Sequence, residues 1–308
     1  MTLPPALGQT ETDGSLESLT RLQTDLRDQQ ETALIQVWVE ETRRIMFVYA
    51  RGVLAGSYAV EEGASRPILQ ADIPSYWNGR NAAIQRVPVS DQVGRLAWLA
   101  LESSLERRSE LCNQAEWERQ AAAWKDAKFS GVVELASRNE AGYLVWAGGK
   151  MLADESAWTG DQTLASLLQD APVSLSVSAP VPEANAWECL SLRQSGMKWA
   201  NGILSRFQHV AGTKFAQTVA REIAQLIRPW QWRIRVEKGQ MRDEHFFPRA
   251  AAATHAYRAI FMGMGAQMGF VIGNMLTQRI LSEMYYELDG DERAVLALNR
   301  LIPAAFSE

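Results

Sequence analysis

The feature that most restricts the fold is an internal repeat. "IMFVYARGVLAG" (Ile45–Gly56) falls on "GYLVWAGGKMLA" (Gly142–Ala153) at a constant offset of 97, so that Val48 meets Val145, Tyr49 meets Trp146 and Gly52 meets Gly149. Upstream, "ALIQV" (Ala33–Val37) falls on "GVVEL" (Gly131–Leu135) at an offset of 98, and "DLRD" (Asp25–Asp28) on "AWKD" (Ala123–Asp126) at the same offset. One residue is therefore lost in the polar turn between the two matched segments, where a length change disturbs no packing. A repeat of this length implies two copies of one structural unit.

Each copy reads as an amphipathic helix (Leu16–Asp28, Glu116–Ala127), a β-branched strand, a charged turn ("EETRR", "SRNEAG") and a second strand. The second strand ends at Gly52 or Gly149, where free access to positive φ permits a reversal into a third strand, Val53–Tyr58 or Lys150–Asp154. In the second copy "TGDQTLASLLQDAP" continues as a helix closed by Pro172, and "VSLSVSAPVP" alternates as a strand. Beyond about Leu190 the pattern turns helical. "ILSRFQHVAGTKFAQTVAREIAQLI" repeats its apolar residues near the 3.6 period up to Pro229, and "WQWRIRVEKGQMRDEHFF" alternates as a strand with a hairpin turn at "EKGQ". Arg249–Leu288 forms a helix or a helix pair, and "GDERAVLALNRLIPAAF" gives one more.

The expected fold is therefore α+β: a disordered tail over 1–15, tandem helix-plus-hairpin modules over 16–108 and 109–195, and a helical bundle over 196–308 with a β-hairpin near 230–246. The run "FSGVVELASRNEAGYLVWAGGKMLADESAWTGDQTLASLLQ" resembles the PATAN module of bacterial signalling proteins. The likeness rests on Phe129–Gly131, Tyr143–Trp146, Gly149–Ala153 and Thr163–Leu168 and is weaker over 33–58, where Ala33 replaces the glycine of F-S-G. It implies protein–protein interaction in motility, pilus or small-GTPase signalling and carries over no catalytic residues.

Composition narrows the function. The 31 basic and 36 acidic residues give a net charge of -5, which speaks against a nucleic-acid binder with a basic face. Cys112 and Cys189 alone make neither a disulfide framework nor a C-x-x-C zinc site. With no secretory signal in "MTLPPALGQTETDGSLESL", a reducing cytoplasm is the expected location. His209, His245 and His255 have no H-E-x-x-H spacing, no serine lies in a G-x-S-x-G elbow, and "GMGAQMG" lacks the strand and distal acid of a dinucleotide site. No catalytic, cofactor or metal residue is assigned.

Three candidate surfaces remain. Gly265, Gly269 and Gly273, spaced by four, define one smooth helix face suited to a close helix–helix seam. Tyr76, Trp77 and Arg80, with Trp158, are candidates for binding a partner protein, since aromatics beside arginine anchor interfaces. Trp230, Trp232, His245, His255 and Asn274 are candidates to line an apolar pocket, whereas Trp38, Trp146, Trp230 and Trp232 otherwise read as core strand residues. The expected function is a non-enzymatic signalling or scaffold protein that binds another protein and self-associates. The alternatives are a small-molecule sensor or enzyme using that pocket, and a membrane-associated regulator anchored by the uncharged residues 259–278.

Overall fold

The computed structural model describes residues 10–302, except 41, 63, 78–81, 138–140, 159–162 and 171–172. The protein is α+β and divides into two compact units, Met1–Trp187 and Glu188–Glu308.

The first unit contains the repeat. Its first copy runs β1 (Thr10–Gly14), α1 (Leu16–Gln29), β2 (Ala33–Trp38), β3 (Arg43–Ala50), β4 (Val53–Glu61), β5 (Ala64–Pro67), α2 (Ile73–Trp77), β6 (Ala82–Pro88) and α3 (Asp91–Leu101). The second runs β7 (Ser103–Cys112), α4 (Gln114–Asp126), β8 (Gly131–Ala136), β9 (Ala141–Ala147), β10 (Lys150–Trp158), α5 (Leu164–Asp170), β11 (Val173–Pro180) and then α6 (Asn185–Ala211). The sheet orders are β1-β6-β2-β3-β4-β5 and β7-β11-β8-β9-β10. Apart from the added edge strand β5 they are one topology: an opening edge strand, a helix, a three-strand meander, a helix, and a return strand that inserts between the opening strand and the meander. All neighbouring strands are antiparallel.

The repeat extends to single hydrogen bonds. Each first helix is followed within two residues by one in the left-handed region, Gln30 (φ 50) or Lys128 (φ 51). The next amide turns back to the helix in both copies: Glu31 donates to the Leu26 carbonyl at 3.1 Å and Phe129 to that of Trp124 at 2.9 Å. Gly52 and Gly149 then donate to the carbonyls of Glu31 and Phe129 at 2.7 and 2.8 Å. Both glycines have positive φ (80 and 79), and an added Cβ would come within 2.7 Å of backbone atoms of the first helix, so the reversal and the close approach both demand glycine. The hydroxyls of Thr32 and Ser130 accept from the amides of Arg51 and Gly148 in the same relation.

One expectation about this unit is corrected. Residues 10–14 are not tail: they pair with Ala82–Arg86 as β1. The "ERRSE" charges lie in β7, the edge strand that opens the second sheet at Ser103. Neither segment alternates in hydrophobicity, because a sheet edge has water on one side and is kept from foreign pairing by charge.

Helix α3 bonds equivalent strands of the two copies. The Trp98 indole donates to the Tyr58 hydroxyl on β4 at 2.7 Å, while Arg95 pairs with the buried Glu155 on β10 at 3.1 Å. Tyr58 and Glu155 occupy the same repeat position, 97 residues apart. The Tyr58 hydroxyl in turn donates to Glu102 at 2.6 Å, whose other oxygen accepts from the Ala186 amide at 2.7 Å. Burial pushes the Glu102 carboxyl above its ordinary range, against the hydrogen bonds that it accepts.

The second unit consists of the remainder of α6, α7 (Thr213–Ile227), a hairpin of β12 (Ile234–Glu237) and β13 (Gln240–Asp243), α8 (Ala250–Ile272), α9 (Asn274–Tyr286) and α10 (Gly290–Leu298). Its core includes Trp199, Phe207, Ile223, Tyr257, Met264 and Ile280. The helix expected to run unbroken to Pro229 is two helices, separated at Gly212 (φ 91). The apolar period survives the break because both helices face the same core.

Candidate interaction site

At the end of α7, Pro229 lies in a 3-10 turn, Arg228–Trp230, and Gln231 follows in the left-handed region (φ 55). This reversal stacks the indoles of Trp230 and Trp232, with centroids 5.4 Å apart and planes 12° from parallel. His255, near the start of α8, meets both rings edge-on at 5.2 and 6.1 Å. Phe247 backs Trp232 at 6.3 Å and is itself met edge-on by His245 at 4.5 Å. The Nδ1 of His245 accepts from the Arg233 amide at 3.4 Å, and the His245 amide donates to Asp243 at 2.8 Å.

The structure thus brings together Trp230, Trp232, His245 and His255, with Phe247 added. They form a platform rather than a pocket. The indoles fill each other's inner faces, since stacked rings lie about 4.5–7 Å apart. The outer part of Trp230 is left to solvent: the residue is 55% exposed. Its placement as core is corrected for that reason. The alternation that suggested a strand begins four residues too early, at Trp230, and the strand itself starts only at Ile234. Asn274 does not join the platform. It opens α9, roughly 25 Å along α8 from His255 at a rise of about 1.5 Å per residue.

The other candidates are placed differently. Trp77 is buried and its indole donates to the Gly14 carbonyl at 2.9 Å, so it is a core residue and not an exposed anchor. The Tyr76 ring lies under the guanidinium groups of Arg43 and Arg66, at 5.3 and 5.6 Å. Arg80 lies outside the described residues, as does the side chain of Trp158. Gly265 and Gly269 face α9, where an added Cβ would meet Leu281 at 3.9 Å and the Asn274 carboxamide oxygen at 2.5 Å. Gly273 is not on that face: it ends α8 with φ 82 and turns the chain into α9. The three-glycine stripe is therefore corrected to two packing glycines and one reversal.

An open trough of about 670 Å³ is lined by Arg206, Arg279, Ser282, Glu283 and Tyr286 among others. Glu283 holds both arginines, at 3.4 and 2.7 Å, and hydrogen bonding to Arg279 lowers its carboxyl below the ordinary value. With Glu287, which also lines it, the trough has two carboxylates for its two arginines. Among the described residues, no three His, Cys, Asp or Glu side chains gather in a way that could hold a metal ion.

Family models, curated proteins and solved structures show no match to this chain.

Proposed function

We propose that this protein is a non-catalytic adaptor that binds another protein and a second copy of itself through the aromatic platform of its second unit. One observation carries the reading: Trp230, rigidly stacked on Trp232 and flanked by His255, keeps more than half of its surface exposed. A pre-ordered indole loses little conformational entropy on being covered, and tryptophan is among the residues that dominate interface energies. In this reading the tandem modules of the first unit are the scaffold, and the resemblance of their sequence to PATAN modules is what supports a role in bacterial signalling. A second reading, stacking of a planar small molecule on Trp230, rests on the same outer ring face.

Sedimentation equilibrium tests the first reading. The native chain is expected to associate with rising concentration, and Trp230→Ala to weaken that association by a factor of about ten to thirty, as loss of an interface hot spot does. A photo-crosslinker placed at position 230 should capture the partner chain or the second copy directly. Unchanged mass in Trp230→Ala, together with no crosslinked protein, would reject the adaptor; quenching of the Trp230 emission by an aromatic compound would then favour the small-molecule reading.

A further inference from the structure

We infer that the platform and the outer crest of α7 form one docking surface for an acidic helix of another protein. This partner is the foreign one of the adaptor reading, on which the inference rests. Lys214, Arg221 and Arg228 follow one another at seven-residue intervals and are all exposed. Arg228 continues α7 with helical backbone angles (φ -54, ψ -44). Seven residues make almost two full turns, so the three cations stand in one row, about 10 Å from one to the next. Among the described residues none of the three has an ion-pair partner.

The row leads onto the platform. Arg228 and Trp230 share one 3-10 turn, and Trp230 is exposed there. Arg249, exposed at the start of α8, lies in the chain between Phe247 and His255, which both touch Trp232. The nearby carboxylates are engaged elsewhere: Glu237 and Glu244 hold Arg235, and Asp243 accepts from the Tyr257 hydroxyl and the His245 amide. Glu222, the one carboxylate of α7, lies about a quarter turn from the row. From Arg193 to Ser282 the chain has thirteen basic and four acidic residues in a protein whose net charge is -5, so this surface attracts an acidic partner.

Spacing selects the form of the partner. A helix lying along α7 with a carboxylate every seven residues has the same rise between charges, so three acids meet three cations one to one. A nucleic-acid strand carries a phosphate about every 3.4 Å, which would leave roughly two phosphates in three without a cation. Helix α7 also opens at Gly212 with no side-chain cap, so a carboxylate opposite Lys214 meets the positive end of the helix dipole. At the other end of the row an apolar side chain of the same partner helix covers Trp230 as the anchor. Among the described helices of this chain none carries carboxylates seven residues apart, so a second copy does not supply this partner.

Fluorescence anisotropy of labelled synthetic peptides with the full chain tests the inference. The probe is an alanine-rich helical peptide with three glutamates seven residues apart and a leucine beyond each end of that row; glutamine and lysine versions are the controls. The native protein should bind the glutamate peptide about tenfold more tightly than the glutamine peptide, with affinity falling as salt rises. The double variant Lys214→Glu, Arg221→Glu should lose that preference and bind the lysine peptide instead, with a little-changed circular-dichroism melt because both side chains are exposed. Trp230→Ala should weaken binding of the glutamate peptide by about ten- to thirtyfold. The inference is overturned if the native chain does not distinguish glutamate from glutamine, or if charge reversal does not transfer the preference to lysine. It is likewise overturned if a labelled oligouridylate binds more tightly than the glutamate peptide and is released by the same reversal, since the row would then serve a nucleic acid. Failure of the adaptor reading is a different result, in which Trp230→Ala leaves self-association unchanged and a crosslinker at position 230 captures no protein.

Discussion

The two copies of the repeat share a backbone but not a core. Positions 19, 26 and 49 of the first copy are Leu, Leu and Tyr, and the equivalent positions 117, 124 and 146 of the second are all Trp. In the second copy the three indoles touch one another, with centroids 5.3–6.4 Å apart. The Tyr49 hydroxyl is hydrogen-bonded to Gln23, whereas the buried Nε1 of Trp146 has no hydrogen-bond partner and position 121, equivalent to Gln23, is Ala. One backbone thus tolerates two ways of filling the space between helix and sheet. In the second copy ring area replaces the hydroxyl–amide bond. Burial of a larger aromatic offsets the cost of an unpaired indole N–H, which is about 1–3 kcal/mol.

The copies also differ at the shared position on their third strands, where Tyr58 meets α3 as a neutral hydroxyl and Glu155 meets it as a charge. Breaking the charged contact should have the largest effect. Arg95→Ala leaves Glu155 buried beside the bulged segment of β10 and should destabilise the first unit by about 3–5 kcal/mol in denaturant unfolding. A loss below about 1 kcal/mol would mean that the other contacts of Glu155 suffice.

Next in size, Gly52→Ala and Gly149→Ala should each cost about 2–3 kcal/mol. Both force a Cβ against the first helix at positive φ. Equal losses would confirm that the two reversals are one device, and a difference above about 1 kcal/mol would break the equivalence.

Glu102 has no counterpart role in the second copy, and its effect is read against pH. Its folded carboxyl is raised above the ordinary value of 4.5, chiefly by burial. The stability it contributes is therefore complete below the unfolded value and is lost as pH rises through the folded one. Glu102→Gln should remove that decline, so the difference in stability between the native chain and the variant should vary with pH across this window. A constant difference would show that the carboxyl does not titrate there.

The smallest expected effect converts one core toward the other. Trp146→Tyr should destabilise, and adding Ala121→Gln should restore about 1 kcal/mol by supplying the partner that Tyr49 has in Gln23. Purely additive losses would show that the second core cannot accommodate the arrangement of the first.

Much of this fold was legible in the chain. The offset of 97–98 predicted the duplication, and the helix–hairpin pattern predicted α1, β2, β3 and their repeats because each is specified by its own periodicity. Gly52 and Gly149 were identifiable because a tight reversal after an apolar strand leaves few alternatives. The edge strands β1 and β7 were not legible, since their existence depends on pairing with β6 and β11 across 70 or so residues of intervening chain. The candidate site was half legible: the gathering of Trp230, Trp232, His245 and His255 was foreseen, but not Phe247 behind them, although it follows His245 by two residues in "HFFP".

Sequence alone therefore determined local geometry: where helices begin, where strands alternate, and where glycine must stand. Only tertiary structure decided exposure. Trp77 looked like an exposed anchor and is buried because β1 brings the Gly14 carbonyl to its indole, while Trp230 looked buried and is exposed because a left-handed residue turns it out of the strand. Gly265, Gly269 and Gly273 looked like one stripe and became two contacts and a turn, because α9 folds back on α8. The physical reason is common to all three. Periodicity records which residues could share a face, but whether that face meets protein or solvent is fixed by contacts far apart in the chain.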